Sequence, residues 1–135
     1  MEHEEAEDQP IHLELADALE LCTAIISVPS ARAVNQLRNR AGLEGALARP
    51  QTYAQYQDAD LALQAAVLAH GIAESQTFFD GNKRLALVAM LTFLEINGQH
   101  VEASDPELAE WIISLSAGAT PAGLAELIRQ RLRPR

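Results

Sequence analysis

Gln76-Thr77-Phe78-Phe79-Asp80-Gly81-Asn82-Lys83-Arg84 is the stretch on which the reading of this chain turns. It holds the only lysine in 135 residues, although arginine occurs nine times. Asp80 can bind a divalent cation or carry a charge-assisted hydrogen bond. Gly81 lets backbone approach a ligand closely. Asn82 tolerates a tight turn and offers an amide. Lys83 and Arg84 add positive charge where a helix begins, and free N–H groups there already favour an anion. The stretch therefore reads as a phosphate-binding loop opening a helix. The plainer alternative is a helix start capped by Asp80, with Lys83 and Arg84 solvated.

Helical signals extend on both sides. Before the loop, Ala59 to about Ser75 is rich in Ala and Leu and reads as a helix buried on most sides. After it, Lys83–Asn97 reads as a very apolar helix stopped by Gly98. Leu15, Leu19, Cys22 and Ile26 mark one helical face between Pro10 and Val28. Pro29-Ser30 breaks that run, and Ser30 is placed to cap a second helix reaching about Arg40. Gly42 separates it from a short helical run over 43–48, ended by Arg49-Pro50. Residues 51–58 fit neither period and are expected to form a loop or short hairpin. Ser104 and Glu107 have capping-box spacing, predicting a helix to about Ala117. Thr120-Pro121 starts the last helix. The predicted fold is all-α, with six to seven helices around the pair 59–75 and 83–97.

Composition narrows the function classes. The length suits one domain, expected over 10–135 after an acidic, disordered tail at 1–9. Net charge is −9, with eight acids and no Lys or Arg in the first 20 residues. The remaining bases nearly balance the remaining acids, so nucleic-acid binding is disfavoured. Arg129, Arg131, Arg133 and Arg135 are expected on the exposed face of the last helix. No run approaches the ~18 apolar residues of a membrane span. The single Cys22 reads as a buried structural thiol, and the start lacks a secretory pattern. A cytoplasmic protein fits best. His70 sits one turn before Glu74, spacing for a structural hydrogen bond.

The nine-residue stretch resembles the signature of the Fic/Doc family, His-x-Phe-x-Asp/Glu-Gly-Asn-Gly/Lys-Arg. Phe78, Asp80, Gly81, Asn82, Lys83 and Arg84 match it. Leu68-Ala-His-Gly-Ile72 and Phe93-Leu-Glu-Ile-Asn-Gly98 look like the family's helix entry and exit. Leu43 to Tyr53 looks like the segment leading into its target-binding flap, which would place Gln51, Thr52 and Tyr53 against a target. The resemblance spans roughly 10–132. It implies ATP and Mg²⁺ as cofactors, with Asp80 helping to hold the metal. Gly81, Asn82, Lys83 and Arg84 would bind nucleotide phosphates. The activity implied is transfer of a phosphoryl or AMP group to a Ser/Thr hydroxyl of a protein target. Lys83 tilts the likeness toward the Doc branch, toxins that phosphorylate elongation factor Tu, while Gly81 follows the wider Fic pattern. The inhibitory Ser/Thr-x-x-x-Glu-Gly/Asn pattern is absent: Ser30 is followed by Val34-Asn35 at the decisive positions. A separate bacterial antitoxin chain is therefore the implied restraint.

The family's catalytic histidine position is occupied by Gln76. A carboxamide orients a hydroxyl but has no useful basicity near neutral pH. Loss of a positioned general base costs ~10²–10⁴ in rate. Three readings follow: an impaired Doc-like toxin, a non-catalytic Fic-fold protein that binds nucleotide or a partner, and a helical interaction domain with an accidental motif.

Overall fold

The computed structural model describes residues 10–26, 39–75 and 82–135. Among them are six helices: α1 Leu15–Ile26, α2 Arg40–Gln57, α3 Leu61–Ser75, α4 Asn82–Ile96, α5 Asp105–Ser116 and α6 Pro121–Arg131. Two three-residue strands, β1 Gln99–Val101 and β2 Leu132–Pro134, complete the order. The all-α expectation holds. The acidic tail, the helix start at Ser30, and the loop residues Gln76 to Gly81 lie outside the described residues.

α3 is the central element. Ala62, Gln64 to Ala69, Gly71 and Ile72 are buried, so the helix is enclosed around most of its circumference. It packs on α2, α4, α5 and α6. Its start is fixed by Asp60, whose Oδ1 accepts from the Leu63 amide at 2.9 Å while its carbonyl accepts from Gln64. Gln64 is a buried polar side chain whose bonds are made internally. Its Nε2 donates to the Ala59 carbonyl at 3.0 Å, and its Oε1 lies 2.9 Å from His12 Nε2. Because the Gln64 amide nitrogen already donates, Oε1 is the acceptor and His12 Nε2 the donor. The His12 ring stacks on Phe93 of α4 with centroids 5.6 Å apart.

α2 corrects the sequence reading. Gly42 does not separate two helices, Pro50 does not end one, and 51–57 form no loop or hairpin. One helix runs through all of these positions. Proline inside a helix removes one hydrogen bond and costs ~3 kcal/mol. Here the loss is offset by burial along a continuous stripe. Leu43, Ala46, Leu47 and Pro50 are buried, at spacings i, i+3, i+4 and i+7, and α2 lies antiparallel along α3. At the crossing, a Cβ added to Gly71 would stand 2.9 Å from Ala46 Cβ and 3.1 Å from Ala46 Cα. Only glycine allows the two backbones to approach so closely. α2 ends where Asp58 turns left-handed (φ 52°) and returns its amide to the Tyr53 carbonyl.

The remaining helix boundaries follow their capping chemistry. Asp17 Oδ2 accepts from the Glu14 amide at the start of α1. Ser104 and Glu107 form the reciprocal capping box, and Thr120 Oγ1 accepts from the Gly123 amide at 3.0 Å. Gly98, at φ +80°, turns the chain out of α4.

The arginine-rich end is not simply the solvated face of a last helix. α6 stops at Arg131, and β2 pairs antiparallel with β1, setting His100 opposite Arg133. Arg129 bonds Asp60 and Glu126, Arg131 bonds Glu107, and Arg133 faces Glu102 at 3.2 Å. The Arg135 amide donates to the Gly98 carbonyl and its guanidinium to the Glu95 carbonyl. These arginines clasp the chain end onto the body.

Candidate functional site

The start of α4 is the described part of the motif. Asn82 is half-buried, while Lys83 and Arg84 are exposed. Among the described residues, neither cation makes an ion pair, in contrast to Arg40, Arg129, Arg131 and Arg133. Exposure and the first-turn amides of α4 make this end locally positive. The buried face of the same helix, Leu85, Ala86, Ala89, Met90, Phe93 and Leu94, fixes its orientation. Lys83 and Arg84 fall outside that stripe, so the hydrophobic pattern directs them to solvent.

The α2 N-terminus meets the end of α3 at the point where the chain enters the motif. Asn39 Oδ1 accepts from the Gly42 amide at 2.9 Å, capping α2. Its Nδ2 donates to the carbonyl of Ser75, the last residue of α3, also at 2.9 Å. Ser75 Oγ turns back to the Ile72 carbonyl at 2.8 Å. Next to this junction Arg40 is held by Glu44 at 2.7 Å. Asn39 was not singled out from sequence, and Gly42 was read there only as a break between two helices. The available signal was an asparagine placed just before the stripe Leu43, Ala46, Leu47 and Pro50, the position of an N-cap.

Gln51, Thr52 and Tyr53 do not join this end. They lie twelve to fourteen residues beyond Asn39 on one continuous helix, roughly 20 Å along its axis. Gln51 and Thr52 are exposed and Tyr53 is half-buried. The Thr52 hydroxyl donates to the Ala48 carbonyl at 3.2 Å. The predicted flap is therefore helical and faces the far end of the molecule. Tyr56, 81% exposed, shares that far end.

His70 stands on α3 five residues before Ser75. Its Nδ1 lies 3.2 Å from Glu74 Oε1, the structural pairing expected from the spacing. Cys22 is buried, and burial pushes its thiol up to about 11. It is an inert core side chain. No helix among the described residues is long and apolar enough to cross a membrane.

Comparison with known proteins assigns this architecture. Residues 12–94 match the model of the Fic/DOC family, and the chain belongs to that family. The matched span includes Gln76 to Arg84. Among individual relatives, the chain is similar to a protein named Toxin Doc from Mycolicibacterium smegmatis, with 40% identity over 78 residues. That alignment covers 56% of this chain and 60% of the relative, so the chain spans less than two thirds of the relative's length.

Proposed function

We propose that this chain is a Doc-like toxin of a bacterial toxin–antitoxin module, acting in the cytoplasm, with its catalysis held low by Gln76. The observation that carries the reading is the exposed Lys83 and Arg84 at the start of α4, which make no ion pair among the described residues, inside a Fic/DOC match that spans the whole motif. The relative's name supports the toxin assignment. Two cations at a helix N-terminus suit a polyphosphate such as ATP. Asp80 is the carboxylate that would hold Mg²⁺, and Mg²⁺ when bound neutralises phosphate charge. Gly81 and Asn82 supply close backbone approach and an amide. Arg84 clamps a phosphate, and Lys83 favours terminal phosphate transfer over AMP transfer. The acceptor is a Ser/Thr hydroxyl of a protein of the elongation factor Tu type. Gln76 orients that hydroxyl without removing its proton. An antitoxin chain supplies the restraint, a reading that the relative's name supports.

Gln76 itself favours a second reading, a Fic-fold protein that binds nucleotide or a partner without transfer. One comparison separates the two. The wild-type chain and Gln76→His are incubated with a bacterial lysate and ATP labelled on the α- or the γ-phosphate. γ-Labelling of a target by Gln76→His, at least ~10² faster than by wild type, is expected for a toxin lacking only its base. α-Labelling would reassign the reaction to AMP transfer. Equal labelling by both forms would overturn the role given to position 76. Nucleotide binding without labelling by either form favours the second reading.

A further inference from the structure

We infer that Asn39 is a positioning residue for the nucleotide site, joining the start of α2 to the end of α3 where the chain enters the motif. This rests on the proposal that the start of α4 binds nucleotide. One carboxamide performs two tasks. Oδ1 caps α2 through the Gly42 amide, and Nδ2 donates to the Ser75 carbonyl, both at 2.9 Å. That carbonyl belongs to the last turn of α3, where helix geometry leaves acceptors without intrahelical donors. The residues joined are 36 apart in sequence, so the bridge is tertiary and sets one helix end against another. The next described residues beyond Ser75 are Asn82, Lys83 and Arg84. In the sequence Ser75 directly precedes Gln76, the first residue of the motif, so the bridge holds the residue from which the motif departs.

Gly42 belongs to the same device. A Cβ there would stand 2.5 Å from Asn39 Nδ2 and 2.9 Å from its Cγ. Any side chain at 42 would push the Asn39 carboxamide out of its position. Glycine lowers helix propensity, yet it occupies the first turn of α2, where a Cβ would displace the cap side chain.

The cap and the bridge can be separated. Asn39→Ser keeps a neutral capping oxygen and loses the amide donor to Ser75, without adding charge near the phosphates. Gly42→Ala leaves Asn39 in the sequence and displaces its side chain. Both variants are compared with the wild type for thermal stability, for hydrogen exchange in the last turn of α3, and for binding of ATP with Mg²⁺ by calorimetry. Loss of one positioning hydrogen bond is expected to weaken ATP binding on the order of fivefold to tenfold in each variant. Exchange at Ala73, Glu74 and Ser75 should rise in both, with the melting temperature of Asn39→Ser near that of wild type.

Unchanged exchange in α3 overturns the bridge, whatever the nucleotide result. Raised exchange with unchanged ATP affinity overturns the positioning role and leaves a structural tie. Wild-type protein that binds no ATP overturns the nucleotide reading and, with it, the positioning role. The exchange result then still decides the bridge by itself.

Discussion

Arg129 grips Asp60 with two parallel bonds, Nε to Oδ2 at 2.8 Å and Nη2 to Oδ1 at 3.1 Å, across 69 residues of sequence. The same Asp60 Oδ1 accepts from the Leu63 amide, so one carboxylate both caps the central helix and anchors the last one. The Arg129 guanidinium holds the Asp60 carboxyl below its ordinary value, against the opposing effect of burial. Fork geometry is what separates this pair from an ordinary surface ion pair. Arg129→Ala is expected to cost about 1 kcal/mol, at the upper end for a partly exposed pair. Arg129→Lys should recover only part of it, because an ammonium cannot reproduce the fork. Urea unfolding of the two variants beside wild type measures both effects.

Acid stability follows from the same clasp. Arg131 beside Glu107 holds that carboxyl down, from an ordinary 4.5 to about 2, with the Ser104 amide adding to the effect. Asp60 is shifted in the same direction from 3.8. In this window the unfolded chain binds more protons than the folded one. The contribution is therefore present above pH 4.5 and is lost as pH falls toward 2. The urea midpoint should drop between pH 5 and pH 3, and Glu107→Gln should flatten part of that drop. A Glu107→Gln profile parallel to wild type would remove Glu107 from the explanation.

Gly71 sets how closely α2 and α3 approach. Alanine at 71 gains up to ~1 kcal/mol of helix propensity. It also meets Ala46 Cβ at 2.9 Å and the Ala46 backbone at 3.1 Å, and overpacking of this kind costs typically 1–3 kcal/mol, roughly. The clash should win, so Gly71→Ala is expected to lower the melting temperature. Ala46→Gly in the same chain should restore only part of the loss, because the backbone contact remains. Calorimetry on the single and double variants decides the sign.

Cys22 should be silent to thiol reagents in the folded protein. It is 2% exposed, and burial raises its thiol from 9.0 to about 11. Iodoacetamide at pH 8 is expected to modify it quickly in urea and very slowly in buffer. A raised folded-state value also means that stability present below pH 9 is lost as pH rises toward 11. Alkylation monitored by mass, with and without urea, checks the first statement, and unfolding midpoints at pH 8 and pH 10 check the second.

Much of this protein was determined locally and was legible in sequence. Ser104 with Glu107, Thr120 before Pro121, and Gly98 after α4 mark boundaries through bonds that span three or four residues, so the sequence contains both partners side by side. The Ala/Leu density of α3 announced a helix enclosed by others, and Asp80-Gly81-Asn82-Lys83-Arg84 announced the family. What only the tertiary structure decided depends on partners far apart in the chain. Pro50 lies within a helix because the whole of α2 buries its stripe against α3, an energy no local propensity contains. That continuity turns Gln51, Thr52 and Tyr53 from an expected flap into helix at the far end. β1 and β2 were missed because three-residue strands carry too little pattern, and each is defined by the other across the sheet. Arg129, Arg133 and Arg135 are exposed as expected, but the Asp60, Glu102 and Glu107 carboxylates and the Glu95 carbonyl that tie the arginine-rich end to the body lie on other elements. Asn39 escaped notice for the same reason: its cap is local, but the bond to Ser75 exists only once two helix ends have been packed together.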